Sequence, residues 1–231
     1  MNTIQSITIW AIPVLFAITL HEVAHGWVAK KFGDTTAESL GRLSFNPIKH
    51  IDPMGTILVP AILILTTGYA FGWAKPVPVN FSHLRNPKKD MIWVAAAGPF
   101  ANAIMTIFWA ILLFIFIGAA NENEQYAKFF VYMGMAGIFI NLVLMFLNLI
   151  PIPPLDGGRV LSGLVPNKFS KLLAKCEPYG LFIMFGLLLL GFLNKFVFLP
   201  SLLVLFFIMS VLGIQPAEFI PHLEVILPVK S

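Results

Sequence analysis

Residues 20–27 read LHEVAHGW and place two imidazoles and a carboxylate at the end of an apolar run. Side chains four residues apart lie on one face of a helix, with Cβ atoms roughly 5–6 Å apart, so His21 and His25 can bind one zinc ion. Glu22 is offset around that helix, where its carboxylate can reach a water on the metal without being a ligand. This is the general-base arrangement of a zinc hydrolase. Ionisable groups are costly inside an apolar span, so we interpret these three as functional.

The metal needs a further ligand, because catalytic zinc usually has three protein ligands and one open position. The chain has a single cysteine, Cys176, so nitrogen and oxygen must hold any metal. The remaining histidines lie in polar or turn-rich stretches, where we expect exposed loop residues and no ligands; they are His50, His83 and His222.

Asp156 is the better candidate for the third ligand. It lies in NLIPIPPLDGGR, residues 148–159, where three prolines end an apolar helix. Gly157 and Gly158 permit a tight backbone turn, so the carboxylate can project back toward the helices. The residues therefore predict one Zn²⁺ per chain, bound by the two histidines and Asp156.

Membrane helices are the elements that must position these groups. Of the 231 residues, 58% are hydrophobic and 11% are charged, whereas charged residues make up roughly a quarter of an average soluble domain. The apolar residues form long runs, which favour helical spans of about 20 residues over the alternating pattern of a barrel. The basic residues are scattered and do not indicate nucleic-acid binding. Five runs predict spans, at about 4–30, 91–119, 127–150, 179–193 and 196–214.

A sixth apolar run, residues 56–71, is short for a span and contains Pro60. Basic residues flank it on both sides, and cytoplasmic loops are the ones enriched in Lys and Arg. A re-entrant segment near 56–73, with the N terminus outside, keeps both basic loops inside. Six crossings with one basic loop outside is the alternative. In WAKPVPVNF, residues 73–81, valines alternate with prolines, which favours either an extended edge strand lining a cavity or an ordinary interfacial loop.

The predicted fold class is an all-α integral membrane protein with five or six membrane segments, a re-entrant segment and a short membrane-embedded β element. With the N terminus outside, the HEVAH end of the first helix and Asp156 both reach the cytoplasmic side. We predict a multi-pass protein of the cell membrane, with the site toward the cytoplasm. Its two parts are a site-bearing region, residues 1–165, which includes the re-entrant and β region at about 40–85, and a C-terminal helical hairpin with a tail, residues 166–231.

HEVAH, followed about 130 residues later by NLIPIPPLDGG, resembles the HExxH and NxxPxPxxDG motifs of the site-2 protease family of intramembrane zinc metalloproteases. The resemblance implies that His21, His25 and Asp156 bind zinc, that Glu22 is the base, and that Asn148 orients the substrate or the oxyanion. It also implies a three-helix protease core with a membrane-embedded strand, which would fit WAKPVPVNF.

AGPFANAIM, residues 97–105, is similar to the GPxxN element of the same family, so that the motifs together organise residues 1 to about 165. The sequence departs from longer members of the family, because it has no insertion long enough for a PDZ domain and no tail long enough for a CBS pair. Asn102 and Asn148 also have another interpretation, as residues that hydrogen-bond between membrane helices.

The predicted function is an intramembrane zinc metalloendopeptidase that hydrolyses peptide bonds within or near transmembrane segments of membrane-protein substrates. An inactive zinc-binding membrane protein is one alternative, but a structural site has no use for Glu22 and is normally closed by a fourth ligand. A metal transporter is the other, but the sequence shows no inverted repeats. The substrate, the pathway and the oligomeric state stay open, a homo-oligomer included.

Overall fold

The structure is a computed structural model that describes residues 3–67, 72–119 and 125–214. No strand is present in these ranges, so the prediction of an all-α protein is confirmed for them. Short 3-10 turns cover Pro47–His50, Phe81–His83 and Glu177–Tyr179, and π-helical turns cover Pro53–Leu58 and Asn194–Phe198. The α-helices are α1 Thr3–Lys31, α2 Thr36–Ser39, α3 Val59–Thr67, α4 Pro87–Ala119, α5 Gln125–Leu149, α6 Asp156–Leu164, α7 Asn167–Cys176, α8 Gly180–Leu189 and α9 Leu199–Val211.

Helices α1, α4 and α5 pack against one another around a common apolar core. Ile9 of α1, Leu113 of α4 and Ile138 of α5 are almost completely buried in it. A Cβ on Gly137 of α5 would lie 2.2 Å from the Trp109 ring of α4, so glycine lets these two helices approach closely. Small residues at such contacts are typical of membrane helices. This three-helix bundle positions the site.

Apolar side chains also cover the outside of the bundle, as lipid contact requires. On α4, Phe100, Ile107 and Phe114 follow one another at seven-residue intervals and are 62–67% exposed. Four helical stretches of the described residues are long and apolar enough to cross a membrane, and a fifth is present if two bent helices form one span. The chain is a multi-pass membrane protein. The four stretches are Ile7–Lys31, Pro87–Gly118, Lys128–Leu149 and Asn194–Val211.

The predicted span at 179–193 is shorter in the structure. Helix α8 has 10 residues, which is about 15 Å at 1.5 Å per residue, or half of a hydrocarbon core. Gly191, with a φ of +70°, follows it in the left-handed conformation that ends helices. The preceding stretch Asn167–Tyr179 meets Phe182–Leu189 at 80°. A bent pair, and not a straight helix, therefore supplies the fifth candidate span.

The two ends of the sixth apolar run lie next to each other in the structure. It begins in the turn Pro53–Leu58 and continues as α3, and residues 68–71 lie outside the described part of the chain. On the return, the N–H of Trp73 donates to the carbonyl oxygen of Gly55 at 3.0 Å. The hydroxyl of Thr56 donates to the carbonyl oxygen of Trp73 at 2.9 Å. The run therefore leaves and re-enters the fold at the same place.

The predicted β element at 73–81 is not confirmed, because the structure has an irregular chain there that ends in a 3-10 turn. Its backbone N–H groups bond to separate parts of the molecule. Lys75 donates to the carbonyl oxygen of His50 at 2.9 Å, and Asn80 donates to a carboxylate oxygen of Asp34 at 2.7 Å. Two prolines in this stretch have no N–H, so a continuous ladder of hydrogen bonds cannot form along it.

Helix α9 packs against α5 and completes the core of the bundle. Leu205 and Met209 are each 1% exposed and lie in the same cluster as Ile9 of α1. The division into residues 1–165 and 166–231 stays a prediction, and residues 215–231 of the predicted tail lie outside the described residues.

Candidate metal centre

His21 and His25 lie one turn apart on α1 and face Asp156, the first residue of α6. Their Nε2 atoms are 3.0 Å apart, and Asp156 Oδ2 lies 3.2 Å from the first and 3.3 Å from the second. All three side chains are buried. The ligand atoms of a tetrahedral zinc ion lie about 3.3–3.4 Å apart when its bonds are about 2.0–2.1 Å long. The three predicted ligands thus meet at separations within about 0.4 Å of those that one zinc ion requires.

Hydrogen bonds determine which nitrogen of each imidazole carries the proton. His25 Nδ1 lies 2.7 Å from the carbonyl oxygen of Val94, which can only accept, so Nδ1 is the donor. His21 Nδ1 donates likewise to Asn102 Oδ1 at 2.6 Å. In a neutral imidazole the other nitrogen then has a free lone pair. Both Nε2 atoms are therefore available to a metal, and α4 orients both ligands.

The three ligand atoms face one another without a hydrogen-bond donor. Asp156 Oδ2 is buried and accepts no hydrogen bond from the described residues. A carboxylate oxygen and two lone pairs at such distances repel one another unless a proton or a cation lies among them. Two imidazoles and one carboxylate are a donor set that catalytic zinc uses. The residues therefore fit a zinc ion.

Gly98 of α4 leaves the room that the two histidines need. A Cβ built on it would lie 2.4 Å from His25 Nε2 and 2.6 Å from His21 Nε2. Contacts that short do not occur for a real Cβ, so only glycine lets α4 pass this close to the ligand atoms. Gly98 belongs to the AGPFANAIM motif, and the sequence did not assign it a part in the site.

The sequence predicted that a tight turn directs Asp156 toward the histidines. In the structure, close backbone packing does this instead. The structure begins α6 at Asp156, and neither Gly157 nor Gly158 has a positive φ. A Cβ on Gly157 would lie 2.4 Å from the carbonyl oxygen of Ile150, and one on Gly158 would lie 2.4 Å from the nitrogen of Pro153. The glycines therefore let the start of α6 pack directly on the chain that follows α5.

Glu22 lines a cavity of about 440 Å³ that His21 also borders. Its Oε2 accepts a hydrogen bond from the backbone N–H of Val77 at 2.7 Å. Glu22 is thus held beside the ligands and does not belong to the three-residue cluster itself. The cavity is otherwise mostly apolar, and its wall includes Ile18, Leu144, Leu147, Leu155 and Met184.

Asn148 of α5 lines the same cavity. Its Nδ2 donates to the carbonyl oxygen of Leu144 at 3.0 Å. An asparagine amide has two N–H groups, so one remains for another acceptor. Asn148 is therefore placed where a substrate carbonyl could reach it.

Two other histidines, His50 and His83, do not belong to the cluster of three ligands. His50 is 1% exposed and donates from Nε2 to the carbonyl oxygen of Ser44 at 2.9 Å, so the expectation that it is exposed is wrong. Local polarity suggested exposure, but the returning chain approaches this residue, and the N–H of Lys75 donates to its carbonyl oxygen at 2.9 Å. The side chain of His83 is 58% exposed, as expected. His222 lies outside the described residues.

Sequence reasoning did not find the backbone groups that hold the site. The carbonyl oxygen of Val94 and the N–H of Val77 contact functional side chains, and backbone groups leave no signal in residue type. Asn102 was visible as a polar residue in an apolar span, which marks a partner or a functional site. In the structure Asn102 contacts the candidate ligand His21, and it also hydrogen-bonds to Asn141 of another helix.

Comparison with known proteins agrees with this geometry. The protein-family model described as Peptidase family M50 matches residues 9–131 and 115–191 of this chain. The "Putative zinc metalloprotease YwhC" of Bacillus subtilis (strain 168) is 41% identical over 196 residues, which are 83% of this chain and 84% of that protein. The "Putative zinc metalloprotease Rip2" of Mycolicibacterium smegmatis is 30% identical over 185 residues, which are 80% of this chain and 68% of that protein. No solved structure matches the chain at a significant level. The resemblance seen in the motifs is confirmed, and the chain belongs to peptidase family M50, the site-2 protease family of membrane zinc metalloproteases.

Proposed function

We propose that this chain is an intramembrane zinc metalloendopeptidase that hydrolyses peptide bonds within or near transmembrane segments of membrane-protein substrates. One observation carries the proposal: three buried candidate ligand atoms lie 3.0–3.3 Å apart beside a cavity that the carboxylate of a fourth residue, Glu22, lines. His21, His25 and Asp156 would hold one Zn²⁺, and Glu22 would act as the base. A structural zinc site would need a fourth ligand and would leave Glu22 without a role.

Zinc held by these three residues would supply Lewis-acid activation of a water and of a carbonyl. Glu22 would accept the proton of the attacking water and deliver it to the leaving amine. The Val77 N–H holds one carboxylate oxygen of Glu22 in place. Asn148 would offer its second amide N–H to the substrate carbonyl as negative charge develops there.

The substrate proposed for this cavity is a transmembrane segment of another protein. A peptide bond in a helix is shielded, so the segment must unwind, and its backbone groups then need new partners. Residues 72–74 line the cavity at the start of the irregular chain that continues to Asn80. An unwound substrate would lie alongside this chain and exchange helical hydrogen bonds for new ones. The apolar wall favours an apolar side chain next to the cleaved bond.

The proposed orientation puts the N terminus outside the cell membrane and the site near the cytoplasmic face. Lys30 and Lys31 end α1 five and six residues beyond His25, which is about 8–9 Å at 1.5 Å per residue. With the run at 56–73 re-entrant, the basic loops before it, after it and after α5 all face the cytoplasm, as the positive-inside rule favours.

Zinc content and cleavage, measured on the same purified variants, test the proposal. We expect about one zinc per chain in the wild type and in Glu22→Gln, and strong loss in His21→Ala and Asp156→Ala, because catalytic zinc needs three protein ligands. His83→Ala, which removes an exposed histidine, is the matched control and should retain zinc. Against a panel of transmembrane segments in liposomes, Glu22→Gln should cleave at least about 100-fold more slowly, since a general base contributes that much or more.

Each alternative has its own outcome in these measurements. Full zinc in Asp156→Ala would contradict the ligand set. Wild-type cleavage by Glu22→Gln would contradict the role of the base. Zinc binding without cleavage of any segment would favour the inactive zinc protein, and Asp156-dependent zinc uptake by proteoliposomes would favour the transporter.

A further inference from the structure

A chain of buried hydrogen bonds connects a candidate zinc ligand to a helix that carries none of the ligands. His21 Nδ1 donates to Asn102 Oδ1 at 2.6 Å. The amide nitrogen of Asn102 donates in turn to Asn141 Oδ1 of α5 at 2.9 Å and to the carbonyl oxygen of Ala17 at 3.3 Å. Both asparagines are 0% exposed. The proton of His21 is therefore linked to α5 through one amide.

Asn141 is itself held in a single orientation. Its amide nitrogen donates to the carbonyl oxygen of Gly137, one turn earlier on α5, at 2.8 Å. If the amide turned over, its oxygen would face that carbonyl oxygen, and two acceptors would then meet in a buried site. Asn141 Oδ1 must therefore point at Asn102.

The orientation of Asn102 follows from two acceptors of its amide nitrogen, Asn141 Oδ1 at 2.9 Å and the carbonyl oxygen of Ala17 at 3.3 Å, of which Asn141 makes the shorter hydrogen bond. A reversed Asn102 amide would place its oxygen against Asn141 Oδ1 and its NH₂ against His21 Nδ1. His21 Nδ1 would then have to accept, and the proton would move to Nε2, the atom that faces Asp156. An imidazole with that tautomer has no lone pair for a metal at Nε2.

We propose that Asn141 is a positioning residue for the metal: through Asn102, it keeps His21 in the tautomer whose Nε2 can bind zinc. The expected effect on zinc affinity rests on the proposed function. The tautomer of His21 does not, because it can be measured in the metal-free protein. Asn141 touches neither the ligand atoms nor the cavity wall. It acts only through Asn102.

The close contact of α4 and α5 makes this chain of hydrogen bonds geometrically feasible. Gly137 packs against Trp109 at a distance that excludes a Cβ, and Gly134 packs against Leu113. The helices therefore lie near enough for two short asparagine side chains to meet. Buried polar groups between membrane helices also stabilise helix packing, so the experiment must separate positioning from simple helix association.

Two substitutions of Asn141 separate these roles. Asn141→Leu keeps the approximate volume and removes both polar atoms. Asn141→Asp keeps the shape; a buried carboxylic acid stays neutral, so its O–H can donate to Gly137 while its other oxygen accepts from Asn102. Ser201→Ala is the matched control, because Ser201 is also 0% exposed and its hydroxyl donates to the carbonyl oxygen of Val197, four residues earlier.

The first readout is the tautomer of His21 in metal-free protein labelled with ¹⁵N-histidine, observed by solid-state NMR. We expect His21 Nδ1 to carry a proton in the wild type, Asn141→Asp and Ser201→Ala, whatever the state of the Nε2 that faces Asp156, and to lack it in a substantial fraction of Asn141→Leu. His25 donates from Nδ1 to the carbonyl oxygen of Val94 and lies off this chain of hydrogen bonds, so its Nδ1 should keep its proton in every variant and serve as an internal control.

The second readout is the zinc Kd, measured by competition with a chelator. Asn141→Leu should bind zinc about 10–100-fold more weakly, the usual effect of removing a residue that orients a metal ligand, while the other two variants should stay within about threefold of the wild type. An unchanged tautomer and Kd in Asn141→Leu would overturn the inference. Equal losses in Asn141→Leu and Ser201→Ala would also overturn it, as would a failure of Asn141→Asp to restore the tautomer. A wild type that binds no zinc would refute the proposed function, while the tautomer would still decide the role of Asn141.

Discussion

Two histidines at a four-residue spacing can form a metal site here because their neighbours leave the ligand atoms accessible to each other. Gly98 supplies the space, and the Val94 carbonyl oxygen and the Asn102 side-chain oxygen accept hydrogen bonds from the Nδ1–H groups of the two imidazoles. At the scale of the single residue, the site therefore depends on the absence of a side chain as much as on the ligands.

Gly98→Ala should abolish zinc binding without unfolding the protein. The added methyl group would occupy the space 2.4–2.6 Å from the two Nε2 atoms, so the imidazoles would have to turn away from Asp156. We expect zinc content to fall at least about tenfold, a typical effect of displaced ligand geometry. Mass spectrometry of the metal content, with a thermal unfolding curve of the same sample, measures both effects.

Gly186→Ala is the matched control for this change, because a Cβ at Gly186 of α8 would meet nothing within 4 Å. It should keep full zinc. Full zinc in Gly98→Ala as well would show that α4 can move away from the ligands and that Gly98 has no special role.

At the scale of the element, the irregular chain after α3 is anchored to α1 and to the turn that follows it. The N–H of Val77 donates to Glu22, and the N–H of Asn80 donates to Asp34, which also accepts from the N–H and the hydroxyl of Thr36. Burial alone would raise the pKa of Asp34, but the hydrogen bonds from Thr36 and Asn80 outweigh it and hold the pKa below its ordinary value. Asp34 is therefore an ionised anchor for the chain that holds the proposed base.

Asp34→Ala should lower the free energy of unfolding by about 1–3 kcal/mol at pH 7, because it leaves the half-buried N–H groups of Thr36 and Asn80 without their charged acceptor. The pKa of Asp34 is lower in the folded protein than its ordinary value of 3.8. Its stabilisation is therefore complete above that value and is lost as the pH falls below it. Thermal unfolding in detergent, followed from pH 7 to pH 2.5, should show the difference between wild type and variant shrinking at the acid end.

Glu38→Ala is the control for this experiment. The ion pair of Glu38 with Lys30 is about half exposed, and exposed pairs contribute about 0–1 kcal/mol. A loss in Asp34→Ala that is no larger than in Glu38→Ala, or that stays constant to pH 2.5, would contradict the anchoring role.

At the scale of the whole molecule, the two ends of the 56–73 run lie together, and their proximity constrains how the chain is arranged across the membrane. Gly55 and Thr56 both hydrogen-bond to Trp73, and a helix that crosses the bilayer ends about 30 Å from where it began. The chains before and after the run should therefore share one face of the membrane.

Single cysteines at Lys49 and Lys89, both exposed, test this directly in a Cys176→Ser background. We expect a membrane-impermeant maleimide to leave both unlabelled in intact cells and to label both after permeabilisation, because both loops are proposed to face the cytoplasm. Lys195→Cys, exposed between α8 and α9, should be labelled in intact cells. Labelling of Lys49→Cys and Lys89→Cys from opposite faces would establish the crossing alternative.

Sequence pattern alone was sufficient to predict the candidate metal ligands and most of the helices. The spacing of His21, Glu22 and His25 is a property of one helix turn, and long apolar runs leave few options other than spans. The motif around Asp156 and its resemblance to a family pointed to the third ligand. Local pattern was sufficient for each of these, because each depends on residues close together in the chain.

The surroundings of those residues are visible only in the folded protein. The hydrogen bond between Lys75 and His50, the clearance at Gly98, the anchoring of Glu22 by Val77 and the link from His21 to Asn141 all join residues far apart in the chain. Such contacts follow from how helices pack, and no periodicity encodes them. Two of them also involve backbone groups, whose position is independent of residue type, so the sequence held no sign of them.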